Sequence, residues 1–192
     1  MAGTPGNHQV RAVIRSRRYA DAVPTSPAEF TIRPATVGDA TTIVEIYNRE
    51  VATSTATFDL VERSIDEQRD WLTARSGAFA AIVAVEAVSG AVVGFASLSP
   101  YKERAAYRTT VENSIYVHRE HGGQGIGKLL MEHLIQTARE SGFHAIVARI
   151  EASGVASRAL HESCGFELVG IEREVGRKFK RWLDVAIMQL LL

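Results

Sequence analysis

From Phe30 onward, the spacing of apolar residues switches between a strand period and a helix period. Phe30-Thr31-Ile32-Arg33 alternates and predicts a first strand. Pro34 and a polar stretch follow, with Asp39 as a helix cap. Residues 40–51 then place Ile43, Ile46 and Tyr47 on one helical stripe. Ser64 and Glu67 have capping-box spacing, which starts a second helix with Trp71 and Leu72 turned to the core. Residues 79–87 and 91–98 are apolar runs joined through Ser89-Gly90, a hairpin signal. Residues 109–118 form the next strand. Residues 125–141 are an amphipathic helix stopped by Gly142. A buried strand (143–150), a short helix (155–164) and two antiparallel strands (166–174 and 182–191) complete the chain, with Trp182 read as core. The order β-α-α-β-β-β-α-β-α-β-β implies an α/β fold: a mixed sheet flanked by helices on both faces.

Residues 1–29 follow neither period. They are rich in Gly, Pro and Ser and contain Arg11, Arg15, Arg17 and Arg18, without the apolar stretch of a secretory signal. They read as a flexible or loosely docked extension ahead of one domain, 30–192. The whole chain, at 192 residues with formal net charge +0, has no basic surplus of the kind that nucleic acid attracts. It also lacks an apolar run of the roughly 20 residues that a membrane helix needs. Cys164 is its single cysteine. No disulfide framework is possible within the chain, and a reducing cytoplasm fits.

The densest chemical signal is Tyr116-Val117-His118-Arg119-Glu120-His121-Gly122-Gly123-Gln124-Gly125-Ile126-Gly127-Lys128. It reads as strand, glycine turn, helix. Such a turn can aim several N–H groups at one point, where the helix adds the positive end of its dipole. A phosphate or pyrophosphate suits that place. Leu130 stands where a dinucleotide fingerprint needs glycine, and Leu129 where a P-loop needs Ser or Thr, so neither nucleotide motif is complete. The turn resembles the acetyl-CoA loop of the GCN5-related N-acetyltransferases (GNAT), Gln/Arg-x-x-Gly-x-Gly/Ala. Gly125 and Gly127 match this pattern, and Gly122 replaces its first residue.

The resemblance extends from about Phe30 to the C-terminus. It sharpens toward the phosphinothricin and methionine sulfone/sulfoximine N-acetyltransferases through five strings in order. These are Ser54-Thr55-Ala56-Thr57-Phe58, Tyr101-Lys102-Glu103-Arg104-Ala105-Ala106-Tyr107, Val111-Glu112-Asn113-Ser114-Ile115-Tyr116-Val117, Leu160-His161-Glu162-Ser163-Cys164-Gly165-Phe166 and Lys178-Phe179-Lys180-Arg181-Trp182-Leu183-Asp184. It implies a splayed central strand pair in a mostly antiparallel sheet, acetyl-CoA as co-substrate, a small amino acid or analogue as amine substrate, and a homodimer.

It also implies roles. Glu112 is the catalytic glutamate: an ammonium must lose a proton before it attacks a thioester, and a carboxylate in a partly apolar cleft can accept it. His161 is a second catalytic candidate, able to relay a proton near neutral pH. Val117 offers an N–H to the acetyl oxygen. Gly122, Gly123, Gln124, Gly125, Ile126, Gly127 and Lys128 hold the pyrophosphate, and Ser157 bonds the cofactor arm. Gly154 stands where the family often has an asparagine. Phe58, Lys102, Arg104 and Tyr107 bind the substrate, the arginine fork matching a carboxylate or phosphinate. Lys178, Phe179, Trp182 and Asp184 shape a far wall or a dimer contact. His118 and His121 have no third ligand, so no metal is expected. Two other readings remain open: a protein or peptide N-acetyltransferase, and a CoA-binding regulatory module without turnover.

Overall fold

The computed structural model describes residues 30–192. The extension expected at 1–29 lies outside the described residues. Seven strands run in the order β1-β2-β3-β4-β5-β7-β6 across one sheet. They are β1 Phe30–Pro34, β2 Ile82–Glu86, β3 Val92–Pro100, β4 Thr110–Val117, β5 Ala145–Glu151, β6 Glu167–Lys178 and β7 Arg181–Leu191. Among the described residues there are four α-helices: α1 Ala40–Thr53, α2 Ile65–Thr73, α3 Ile126–Glu140 and α4 Val155–Ser163. Every neighbouring strand pair is antiparallel except β4 and β5.

Both faces of the sheet are covered, because successive side chains along each strand point to opposite sides. Ile82 and Ala84 meet the α3 side chains Ile126, Leu130, Met131 and Leu134. Val83, between them, meets Ile43, Ile46, Tyr47 and Leu72 of α1 and α2. Each large apolar side chain buried in this way contributes roughly 1.5–3 kcal/mol. Helix α2 starts as expected: the Ser64 hydroxyl accepts from the Glu67 N–H, and the Glu67 carboxylate accepts from the Ser64 N–H. Leu72 is buried and Trp71 packs against the same cluster.

Three expectations need correction. The strand expected at 79–87 starts three residues later. Gly77, at φ 56°, opens a single 3₁₀ turn, Gly77–Phe79, and the Phe79 ring lies against Phe143 at 5.8 Å. Strand β6 runs four residues past the expected end and is bulged twice. It joins β7 through Phe179 and Lys180, at φ 48° and 62°. Positive φ at both central residues is the two-residue hairpin geometry normally signalled by Asn-Gly, and Phe-Lys does not signal it. Trp182 is not core: it is 59% exposed, with the Arg177 guanidinium 5.3 Å from its ring centre.

The sheet is continuous except at its centre. β4 and β5 pair only over Thr110–Glu112 with Ala145–Val147, and beyond these residues the two parallel strands part.

Candidate active site

The glycine turn enters α3 through left-handed backbone. Gly123 and Gly125 have φ 76° and 83°, where a side chain is strained. Gly122, at φ −61°, needs no glycine for its conformation. Gly127 is tightly packed: a Cβ there would lie 3.0 Å from the Leu160 side chain of α4, which would have to give way. The N–H groups of Ile126 and Gly127 have no carbonyl partner, as at any helix start, and they sit at the positive end of α3. Ile126 is fully buried and fixes the cradle to the core, while Lys128 stays exposed, 3.9 Å from Glu132.

Strand parity explains the next feature. The Thr109 carbonyl accepts from His144 and so faces β5, whereas the His118 N–H donates to Val93 and faces β3. Backbone groups alternate sides along a strand, so Val117 and Ile115 turn theirs toward β5. There the parted strands leave them without a partner. An extended ligand can pair with such an edge as an added strand does.

A cleft of about 570 Å³ crosses the sheet at this gap, lined among others by Phe58, Glu112, Asn113, Arg149, Gly154, Ser157 and His161. Glu112 and His161 reach it from opposite faces. Glu112 alternates with Val111 and Asn113. Val111 packs in the α3 cluster, so Glu112 lies on the α1/α2 face. Among the described residues its side chain has no hydrogen bond or ion pair. Burial pushes its carboxyl above the usual range, and the nearby Arg149 charge partly opposes this.

His161 is buried beside Phe166 on the α3/α4 side. Its Nδ1 lies 2.7 Å from the Ser157 carbonyl, which can only accept, so Nδ1 carries the proton. Its Nε2 then accepts from the Asn113 Nδ2, at 3.0 Å. Both ring nitrogens are thus engaged within the fold, and burial favours the neutral ring. The Asn113 Oδ1 is buried without a partner. Nothing in the sequence marks Asn113; only the contact with His161, 48 residues away, shows its place.

The wall facing Glu112 is the Ser54–Phe58 segment, held from three directions. The Thr55 hydroxyl donates to Glu151 at 3.0 Å, and Tyr47 meets the Thr57 hydroxyl at 2.9 Å. Lys178, buried on β6, donates its Nζ to the Thr57 carbonyl at 2.8 Å. Desolvation lowers its pKa. The Phe58 ring lies over Gly176 so closely that a Cβ there would overlap it. Glu50 links this wall to the glycine turn. Its carboxylate takes two bonds from Arg119, at 2.7 and 3.1 Å, and one from Ser54.

Lys102, Arg104 and Tyr107 stay together but line a separate, open depression, apart from the Glu112 cleft within this chain. His118 and His121 stack edge to face at 5.6 Å. Among the described residues, no group of three or more His, Cys, Asp or Glu side chains is placed to hold a metal. Nor is any described helix long and apolar enough to cross a membrane.

Known proteins share this arrangement. The model of the acetyltransferase (GNAT) family matches residues 43–166. The chain is 38% identical over 160 residues to the L-methionine sulfoximine/L-methionine sulfone acetyltransferase of Pseudomonas paraeruginosa, covering 83% of this chain and 93% of the relative. It is 38% identical to the phosphinothricin N-acetyltransferase of Streptomyces coelicolor, over 83% and 94%. Among solved structures, the GNAT superfamily phosphinothricin acetyltransferase of Sinorhizobium meliloti, in complex with acetyl-CoA, superposes with TM-score 0.81 at 38% identity, over 85% of this chain and 88% of that one. With the family model spanning most of the chain and the parted strands and glycine cradle in place, this protein belongs to the GNAT acetyltransferase family.

Proposed function

We propose that this protein transfers the acetyl group of acetyl-CoA to the amino group of a small amino acid or analogue, of the methionine sulfone, methionine sulfoximine or phosphinothricin type. One observation carries the reading. A cradle of unpartnered N–H groups opens onto the gap between β4 and β5, and an unpaired, half-buried carboxylate waits on the other side of that gap. The relatives named for these amino-acid analogues support the substrate class.

Acetyl-CoA supplies the activated thioester. Gly123 to Lys128 hold its pyrophosphate, and the free edge of β4 holds its arm, with the Val117 N–H directed at the acetyl oxygen to stabilise charge that develops there. Glu112 removes the ammonium proton, directly or through water. Its raised pKa makes it a better acceptor than an exposed glutamate. His161 acts as a positioning residue, since its free lone pair is already given to Asn113. Attack is direct, and Cys164 does not react.

The reading includes a cytoplasmic homodimer and resistance to such analogues. The exposed Val175, Phe179 and Trp182 at the β6–β7 end support a self-contact there. Release of CoA is the test, with acetyl-CoA and a panel of L-methionine sulfone, L-methionine sulfoximine, L-phosphinothricin and short peptides. Turnover with the free amino acids and little with peptides is expected. Turnover confined to peptides, or absent throughout, contradicts the proposal.

A further inference from the structure

Among the described residues the cleft contains one strong cation, and it is not one that the sequence marked for substrate binding. Arg149 lies on β5 two residues past Val147, the last residue paired with β4. Its neighbours Ala148 and Ile150 pack in the α3 cluster, so Arg149 takes the opposite face, the one that carries Glu112. It lines the same cleft as Glu112 and is close enough for its charge to oppose part of the rise that burial gives the Glu112 pKa. The guanidinium is fixed from behind. Glu172, on the edge strand β6, accepts from Nη2 at 2.6 Å and from Nη1 at 3.4 Å. A guanidinium has five N–H donors in a planar fork, so two bonds to Glu172 leave three to offer.

Resting on the reading above, we propose that Arg149 recognises the α-carboxylate of the amine substrate. An α-amino acid carries its ammonium and its carboxylate on one carbon. Glu112 and Arg149 present the complementary pair, a carboxylate and a guanidinium, side by side on one face of the cleft. Peptide-bonded residues and simple amines lack the anion and leave the arginine unanswered. Lys102 and Arg104, the cations nominated from sequence, line a different depression.

The experiment compares L-methionine sulfone, whose only acid is the α-carboxylate, with its carboxamide. kcat/KM is measured for both with the wild type, Arg149→Met, Arg149→Lys and Glu172→Gln. Removing the guanidinium also alters Glu112, but that change acts on both substrates alike and cancels in the acid-to-amide ratio. The wild type should favour the acid. Arg149→Met should lower the ratio by about 10–150-fold, the span expected when a charge-assisted hydrogen bond is lost. Arg149→Lys should fall between the two, and Glu172→Gln should lower the ratio by less than Arg149→Met. Thermal melts of each variant separate this from misfolding, and a misfolded Arg149→Met leaves the Arg149→Lys and Glu172→Gln ratios to decide. An unchanged ratio in the folded variants overturns the inference while leaving amino-acid acetylation intact. A wild type that acetylates no amino acid overturns the reading beneath it as well.

Discussion

On the α3/α4 face, a single stretch from Val117 to Lys128 makes the cradle, using backbone N–H groups and two left-handed glycines. On the α1/α2 face, the wall is gathered from distant segments: Phe58 after α1, Glu112 on β4, Arg149 on β5, and Gly176 and Lys178 on β6. The first half suits a ligand that never changes and is read by geometry. On the proposed function, the second half recognises its ligand with side chains brought together from distant parts of the sequence. A change in substrate preference would then need only a change in the second half, and damage to each half should show in a different kinetic constant.

The largest effect should come from the acceptor half. Glu112→Gln keeps the shape of the side chain but removes the proton acceptor, and kcat should fall by about 10²–10⁴. Calorimetric affinity for acetyl-CoA should hardly change, because the carboxylate lies on the other face from the cradle. The loss should shrink as pH rises, since more of the amine is then already neutral. A large loss of acetyl-CoA affinity would erase the division between the halves.

Gly176→Val comes next. The new side chain drives the Phe58 ring off its seat, so KM for the amine should rise by about tenfold or more while KM for acetyl-CoA holds. Overpacking also costs about 1–3 kcal/mol, which a melt would register. Equal rises in both KM values would mean that the wall serves the whole cleft.

The smallest effects separate two glycines of the turn. Gly125→Val pays the left-handed penalty of about 1–2 kcal/mol and blocks the close backbone approach, so CoA affinity should drop about tenfold or more. Gly122→Ala, at an ordinary φ, should stay within about twofold by the same calorimetry. If the two behave alike, left-handed geometry is not what the turn contributes.

The same division explains what the sequence made legible. The order of elements along the chain, the four helices of residues 30–192 and the cradle were readable because each rests on local signals: a period, a cap or a glycine run. Gly125 was identified with its proper reason, whereas the tight contact of Gly127 with Leu160 involves another helix and needs the fold. The β6–β7 hairpin was hidden because Phe179-Lys180 adopts a turn that its residue types do not announce. Arg149 looked like one more residue in an apolar strand until its place two residues past the Glu112–Val147 pair, and its ion pair with Glu172, put it in the cleft. Lys102 and Arg104 were nominated for their charge, which position in the chain could not place. His161 was given a proton to move. Its Ser157 bond is a helical contact four residues back, but the Asn113 bond that occupies its other nitrogen needs the fold.

The central claim is that proton removal belongs to the amine half, to Glu112 and not to His161. The direct test is the pH dependence of kcat/KM for L-methionine sulfone in wild type, Glu112→Gln and His161→Gln. Burial raises the Glu112 pKa, so its basic form grows as pH rises through that raised value, and the wild-type rate should climb along an acid limb. His161→Gln, even with a lower overall rate, should keep that limb in place. Glu112→Gln should lose it, leaving only the rise from the amine's own ionisation. A limb that survives in Glu112→Gln and disappears in His161→Gln would put the base on the opposite face of the sheet and contradict the account.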